Sequence, residues 1–398
     1  DFTGDTFRFD EQYPRVEEFN LNSTASDKAY VRQALSFDAY SAVGAPGSLS
    51  FPMHVRRNDE FYGVFVFIEE PDEEMLEREG LDRNGALYKV YNEFTSASNV
   101  RKKTREFEGN TDLDTFIKDV RALEGEELRH YLFDNVALPE MLNYLVGTVL
   151  VHQNDNPHKN HFLYRDSEGT REWMFIPWDN DLSWGSNWVG TSYSDQIYAD
   201  MDVITEGPKP GHNSNGLIHP SHPFVNSEGY REWNNHWNRL MDPLLTDPVI
   251  QQMYLRRLRS AMDELMGEPG TTDSYFDKQW DHYVEIMSAD AALDKEKWFP
   301  RWNFGTDQSF PEAVDIVKQD YLEVRRQHFY INHSVDAVTN DTIEVVLPEF
   351  SPGSYFTPSD NSLGTSWTAL DFDDSQWQTG QTGFGFKESG DDFDALIN

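Results

Sequence analysis

The sequence predicts an α+β protein with a strand-rich first part, a mainly helical second part and a short closing β segment. Three features carry this reading. The run Val64-Phe-Val-Phe-Ile68, preceded by the turn Asn58-Asp-Glu, has the β-branched and aromatic content of a strand in a hairpin. Apolar residues recur at helical spacing from Thr111 to His152, and again from Tyr230 to His333. Beyond Thr342 the character changes to tryptophan, glycine and short strand-like runs.

In chain order, Asp27 to Val43 reads as a helix, with Tyr30, Val31, Ala34, Leu35, Phe37 and Ala42 approximating one face. Gly44-Ala-Pro-Gly stops it. Strands follow at Ser50–Arg56 and Tyr62–Glu69, then a short helix at Asp72–Arg78 and a strand at Ala86–Val90. Thr111 to His152 reads as helical almost throughout. Leu113, Phe116, Ile117, Val120 and Leu123 share one face, and Leu138–Val151 is apolar enough to be buried. Two strands, Asn160–Arg165 and Glu172–Pro177, are joined by Asp166-Ser-Glu-Gly. Ser186 to Gly229, rich in Gly, Pro, Ser, Asn and His, reads as a long ordered loop or lid bordering a cleft. Helices are expected at Tyr230–Leu245, Pro248–Met266, Thr272–Met287 and Pro311–His333, and a strand at Thr342–Leu347.

Composition narrows the function. The net charge of −37, from 33 basic and 70 acidic residues spread along 398, repels nucleic acid and anionic membranes. Such a carboxylate surface is expected of a protein kept soluble in a saline habitat, or of an ordinary acidic secreted protein. Zero cysteines exclude disulfides, thiolate-bound zinc and thiol catalysis. No stretch approaches 18 consecutive apolar residues, so no membrane span is expected. Neither a P-loop nor a Gly-x-Ser-x-Gly motif occurs.

The chemistry-bearing residues concentrate between His152 and Gly185. Asp155-Asn-Pro-His-Lys-Asn160 has an aspartate with an asparagine five positions on, after a buried helix. In a kinase catalytic loop that aspartate accepts the substrate hydroxyl's proton and the asparagine ligates a metal ion on the phosphates. Lys159 is a candidate to neutralise charge on the transferred group. The plain alternative is an Asn/Asp-rich turn whose side chains bond their own backbone. After the second strand, Asp179 and Asp181 stand two apart in Trp178-Asp-Asn-Asp-Leu-Ser-Trp-Gly185, a pairing that suits Mg²⁺. The order loop aspartate, hairpin, metal aspartate is that of kinases.

Taken together, His152 through Lys159-Asn-His161, Trp173 and Ile176-Pro-Trp-Asp-Asn-Asp-Leu-Ser-Trp-Gly185 resemble the signature of the CotH (spore coat protein H) kinase family. Phe19-Asn-Leu-Asn, Val31-Arg-Gln-Ala-Leu, Gly44-Ala-Pro, Gly63-Val-Phe-Val-Phe-Ile-Glu-Glu-Pro-Asp72 and Gly85-Ala-Leu-Tyr-Lys89 extend the resemblance over roughly Phe7 to His333.

That resemblance implies an atypical, two-lobed kinase domain over residues 1–334, with an N-lobe of 1–100 and a C-lobe of 101–334. Residues 335–398 would begin a truncated β-rich domain. It implies ATP with Mg²⁺ or Mn²⁺ as cofactors, and transfer to Ser/Thr of secreted or surface proteins in bacteria. Asp155 becomes the catalytic aspartate, Asn160 a residue of the nucleotide and metal site, Asp179 the main metal ligand and Asp181 a second. Lys89, Glu69 and Trp178 become nucleotide-side residues: Lys89 to pair phosphate, Glu69 to orient a lysine or meet the adenine edge, Trp178 to stack adenine. For Lys89 the alternative is a solvated strand lysine, and Arg32 reads as part of a helix salt bridge. A glycine- and lysine-containing segment usual in the family precedes the first residue here, so the chain reads as a fragment at both ends.

Two other classes remain open. His152, His158 and His161 suggest zinc, but their spacing matches no common zinc pattern. Eleven tryptophans, with Trp173, Trp178, Trp184 and Trp188 around the site, admit a glycan-active or glycan-binding protein. A catalytically silent member acting as an adhesin or scaffold is the third reading.

Overall fold

Two antiparallel sheets and a set of helices organise the first of two units, Asp1–Ala337 and Val338–Asn398. The structure is a computed structural model. It describes residues 7–8, 11, 15–16, 18–24, 27–91, 94–98, 100–153, 159–189, 192–194, 238–300, 307–332, 335, 351–360, 362–369 and 372–381.

The elements run β1 (Phe19–Ser23), α1 (Arg32–Ala42), β2 (Ser50–Arg57), β3 (Glu60–Glu69), α2 (Glu73–Arg78), β4 (Ala86–Val90) and β5 (Val100–Lys102). There follow α3 (Thr111–Ala122), α4 (Gly125–Asn135), α5 (Leu138–Val151), β6 (His161–Arg165), β7 (Trp173–Pro177), β8 (Asn187–Val189) and β9 (Ser192–Ser194). The rest of the unit is α6 (Met241–Thr246), α7 (Pro248–Ala261), α8 (Tyr275–Trp298), α9 (Phe310–Ile316) and α10 (Glu323–Arg326). Wide π turns extend α7 through Met262–Met266, join α9 to α10 and prolong α10 through Gln327–Asn332.

The first sheet has the order β1-β3-β2, and the hairpin turn carries Asn58 and Asp59 at positive φ, as a tight two-residue turn requires. The second has the order β5-β4-β6-β7. Its two faces are both apolar and bury different things. Tyr88, Leu163 and Phe175 face the main core of α3, α5 and α7 to α10, while Leu87, Phe162 and Ile176 meet Met75 and Leu76 of α2. A sheet covered on both faces accounts for the near-continuous apolar runs in β6 and β7.

Several expectations are corrected. The stretch from Thr111 to His152 is three helices. It breaks at Leu123, which turns extended before Gly125 at φ 55°, and at Val136, which bridges Trp173. Pro139 then occupies the first turn of α5, where its missing N–H leaves no bond unmade. The helix expected from Asp27 starts at Arg32, because Asp27 accepts from the N–H groups of Ala29 and Arg32 and from the Arg32 guanidinium. The helix expected to end at Met287 runs to Trp298, opened by a capping box of Ser274 and Asp277. Of the helix expected at Tyr230–Leu245, residues 230–237 lie outside the described residues; α6 opens at Met241, and Asn238 caps the N–H groups of Leu240 and Met241. β8 and β9 form a small hairpin within the expected loop; the rest of that loop lies outside the described residues.

The boundary expected near residue 100 falls at β5, inside a continuous sheet. β4 of the first part pairs along its whole length with β6 of the second, Ala86 to Arg165 through Val90 to His161. In the second unit, β10 (Pro352–Tyr355) pairs antiparallel with β11 (Gln378–Gln381), and Phe356 and Phe372 pack on Trp377. The strand expected at Thr342–Leu347 lies outside the described residues.

Candidate functional site

The site residues gather where β4 and β7 end. In the register of the second sheet Lys89 stands opposite Phe162 on β6 and opposite Arg101 on β5, so these side chains share a face. Trp178, one step past β7, lies on the same face with its ring edge-on to Phe162 at 5.5 Å. The Lys89 ammonium stands 4.9 Å from the Trp178 ring centre, a cation–π contact.

The loop from Trp178 to Gly185 is anchored at many points. Trp178 N–H donates to the Asn160 carbonyl (3.2 Å), and the Asp179 carbonyl accepts from the side chains of Gln153 (3.2 Å) and Asn160 (3.3 Å). Asn160 and Asp179 both hold positive φ, 64° and 54°, a conformation asparagine and aspartate tolerate better than most residues. Sparsely populated backbone conformations concentrate at functional sites. Gly47 passes Pro177 so closely that a Cβ would lie 3.2 Å from its ring.

The far end of the loop is fixed by the core. Trp184 is fully buried between Phe276, Trp280 and Tyr321, and its indole N–H donates to Ser36 on α1. Ser36 also meets Ser183 at 2.7 Å. Gly147 lets α1 approach α5, since a Cβ there would come within 2.4 Å of the Tyr40 ring. The last carbonyls of α5, the helix leading into the His152–Asn160 segment, accept from Arg325 (Val149), Tyr321 (Leu150) and the Trp184 N–H (Val151). Groups a helix C-terminus ordinarily leaves unmet are thus bonded by α10, the π turn before it and the site loop.

Electrostatics single out Lys89. Burial lowers its pKa; the charges of Glu70 and Asp179 act against that, and those of Lys103 and Arg101 reinforce it. Glu70 accepts from Lys103 (2.6 Å) and Asn20 (2.8 Å). Burial alone would raise its pKa, but these bonds and the charges of Lys103 and Lys89 hold it below the usual carboxylate range.

Glu69 differs from expectation. It is 1% exposed, and its carboxylate accepts from Arg78 Nε (3.1 and 3.0 Å) and the Leu49 N–H (3.0 Å), so it orients an arginine and the Leu49 backbone instead of a lysine. The next residue, Glu70, is the one whose charge acts on Lys89. Asp155 and His158 lie outside the described residues. Lys159, Asn160, Asp179 and Asp181 are half-buried, and the Lys159 carbonyl stands 3.2 Å from His161 Nδ1. His152 stacks on Tyr321 and His161 meets Phe175 edge-on. Among the described residues no three His, Asp or Glu gather as a metal cluster. Trp173 and Trp184 are core residues, while Trp178 is half-exposed beside Lys89. Arg32 does form a salt bridge, to Asp27, and also donates to the Trp184 carbonyl.

Sequence reading missed Glu70, Gln153, Arg101 and Lys103. Strand alternation was the available signal for Glu70, since its neighbour Glu69 belongs to the opposite side.

Comparison with known proteins identifies the family. The family model described as CotH kinase protein matches residues 2–329. The chain is 25% identical over 184 residues to the inner spore coat protein H of Bacillus subtilis (strain 168), covering 43% of this chain and 51% of that protein. It therefore spans about half the length of that relative.

Proposed function

Because the chain belongs to the CotH kinase family, we propose that it transfers the γ-phosphoryl group of ATP to Ser/Thr hydroxyls of secreted, surface or coat proteins. The observation that carries the reading is the charge interaction between Lys89 on β4 and Asp179 beyond β7, with the Lys89 ammonium over the half-exposed Trp178. Phosphoryl transfer asks mainly for positioned phosphates and compensated charge, and a lysine on the phosphates together with an aspartate that holds the metal ion is its recurring device.

The donor set fits a hard divalent cation. Asp179 and Asp181 carry carboxylate oxygens, and Asn160, whose Nδ2 donates to the Asp179 carbonyl, adds an amide oxygen of the kind such an ion takes. Mg²⁺ and Mn²⁺ take one or two such carboxylates and complete their shell with phosphate oxygens and water, so a larger protein cluster is not required. When bound, the ion would offset charge on the phosphate oxygens. Lys89 holds phosphate, Trp178 offers a ring face to the base, and the bonds from Gln153 and Asn160 hold the Asp179 backbone in place. Asp155, whose role comes from the family pattern, takes the hydroxyl proton.

The test is thermal stabilisation by ATP with and without Mg²⁺, alongside transfer of labelled γ-phosphate to Ser/Thr peptides. Stabilisation by ATP only with the divalent ion, together with label on a hydroxyl residue, is expected. Absence of any nucleotide-dependent shift would overturn the reading.

A further inference from the structure

Four basic residues crowd the segment of β5 and its exit: Arg101, Lys102, Lys103 and Arg105. Three are bridged. Lys102 pairs with Glu108, Lys103 with Glu70 and Glu18, and Arg105 with Glu108 and Glu168. Arg101 is exposed and forms no ion pair or hydrogen bond among the described residues, in a chain with 70 carboxylates. Lys89 likewise makes no salt bridge within 4 Å among the described residues, and its close neighbours are the rings of Trp178, Tyr91 and Phe162.

These two cations stand directly opposite each other across the antiparallel β4–β5 pair. Like charges in that position destabilise a sheet. Lys103, two residues along the same face, adds a third positive charge that acts on Lys89. The molecule therefore keeps Arg101, with no ion pair or hydrogen bond among the described residues, opposite Lys89, whose ammonium lies over Trp178.

We propose that Arg101 is a binding residue for the polyphosphate of the nucleotide, completing with Lys89 an anion cradle across β4 and β5. This rests on the phosphoryl-transfer reading above and names a residue that the family pattern in the sequence did not supply. The planar guanidinium suits two phosphate oxygens at once, which a lysine at the edge would not. Half-buried Lys89 is then the inner contact, and Arg101, on the edge strand, the outer one. The competing role for an edge-strand cation is to block edge-to-edge association, which needs no ligand.

Calorimetric titration of the 398-residue chain separates these, using Mg·ATP, Mg·ADP, sodium tripolyphosphate and adenosine against the unaltered protein, Arg101→Ala and Arg101→Lys. Losing a hydrogen bond to a charged group weakens Arg101→Ala binding of ATP, ADP and tripolyphosphate by about ten-fold or more. Adenosine binding stays unchanged, and Arg101→Lys recovers part of the loss. The melting temperature of Arg101→Ala stays level or rises, because a like-charge contact is relieved. Affinities of Arg101→Ala for Mg·ATP and tripolyphosphate within about two-fold of the unaltered protein would overturn the proposal while leaving the kinase reading intact. Arg101-dependent binding of tripolyphosphate without any binding of Mg·ATP would keep the anion cradle and remove the nucleotide. Failure of the unaltered chain to bind either would overturn both.

Discussion

Two ionic corners, reached from the neighbouring residues Glu69 and Glu70 at the end of β3, are built on opposite principles. At one, Glu69 is buried against Arg78, and the pair is closed by the Leu49 N–H and the Gly47 carbonyl. At the other, Lys89 and Arg101 stand side by side on a sheet face, with Glu70 and Asp179 acting on Lys89 through charge alone among the interactions described. The first corner has its hydrogen-bonding capacity used internally, which suits a structural joint between β3 and α2. The second carries Arg101, with no ion pair among the described residues, beside a Lys89 that has no salt bridge there and lies over an aromatic ring, which suits a ligand that brings its own negative charge. Identical residue types thus serve architecture or binding according to whether their partners are supplied by the protein.

Substitutions should pull the two corners apart. The largest effect is expected at the open one: Asp179→Asn removes a hard anionic ligand at nearly constant shape, so Mg²⁺-dependent stabilisation by ATP and phosphoryl transfer should both vanish while unfolding in denaturant is little changed. Unchanged turnover would move the metal to Asp181.

At the closed corner, Arg78→Ala strands a buried carboxylate, and a loss of about 3–5 kcal/mol in unfolding free energy is expected. Burial would depress the Arg78 pKa, but the bonds and charges of Glu69 and Glu79 outweigh it and hold it above the ordinary value. Glu70→Gln, one residue from Glu69, should cost less, about 1.5–3 kcal/mol, since the amide oxygen can still accept from Lys103 and Asn20 and only the charge at this 15%-exposed side chain is lost. Equal losses for Arg78→Ala and Glu70→Gln in urea titrations would erase the distinction.

A smaller effect sharpens the contrast from α1. Burial raises the Asp38 carboxyl to about 6, and its charge acts on Tyr275 and Tyr283. Its folded pKa lies above the unfolded one, so the native state favours the protonated form, and the stability penalty grows as pH rises from about 4 to about 6 and then levels. Asp38→Asn should therefore gain in melting temperature over the unaltered protein at pH 7, and less so at pH 4. The same difference at both values would show that Asp38 is not held in the native state as an uncharged group.

Much of this was legible in residue order. The hairpin β2–β3, the strand Ala86–Val90 and the apolar helix Leu138–Val151 follow from local pattern, because each is bounded by its own turn or cap residues. The merging of Thr111–His152 into one helix failed for a non-local reason: Val136 is drawn out of the helical path to bridge Trp173, and Ala137 N–H bonds to the Trp173 carbonyl. Lys89, Asn160, Trp178 and Asp179 were named from their motif. Glu70 and Gln153 lie inside those runs with no role of their own assigned, and Arg101 lies outside them, so none was singled out.

What the sequence by itself determined is the inventory: a strand-rich beginning, a helical second part, the motif residues from Asp155 to Asp181, the acidic charge and the absence of thiol chemistry. The tertiary structure alone decided the partnerships. β4 pairs with β6 across what looked like a lobe boundary, and that register puts Lys89 opposite both Arg101 and Phe162. Strand pairing joins residues far apart in the chain, and a shift of one residue turns every side chain to the other face. For that reason local alternation could tell that Glu69 and Glu70 point to opposite sides, but not which side is the joint with α2 and which faces Lys89.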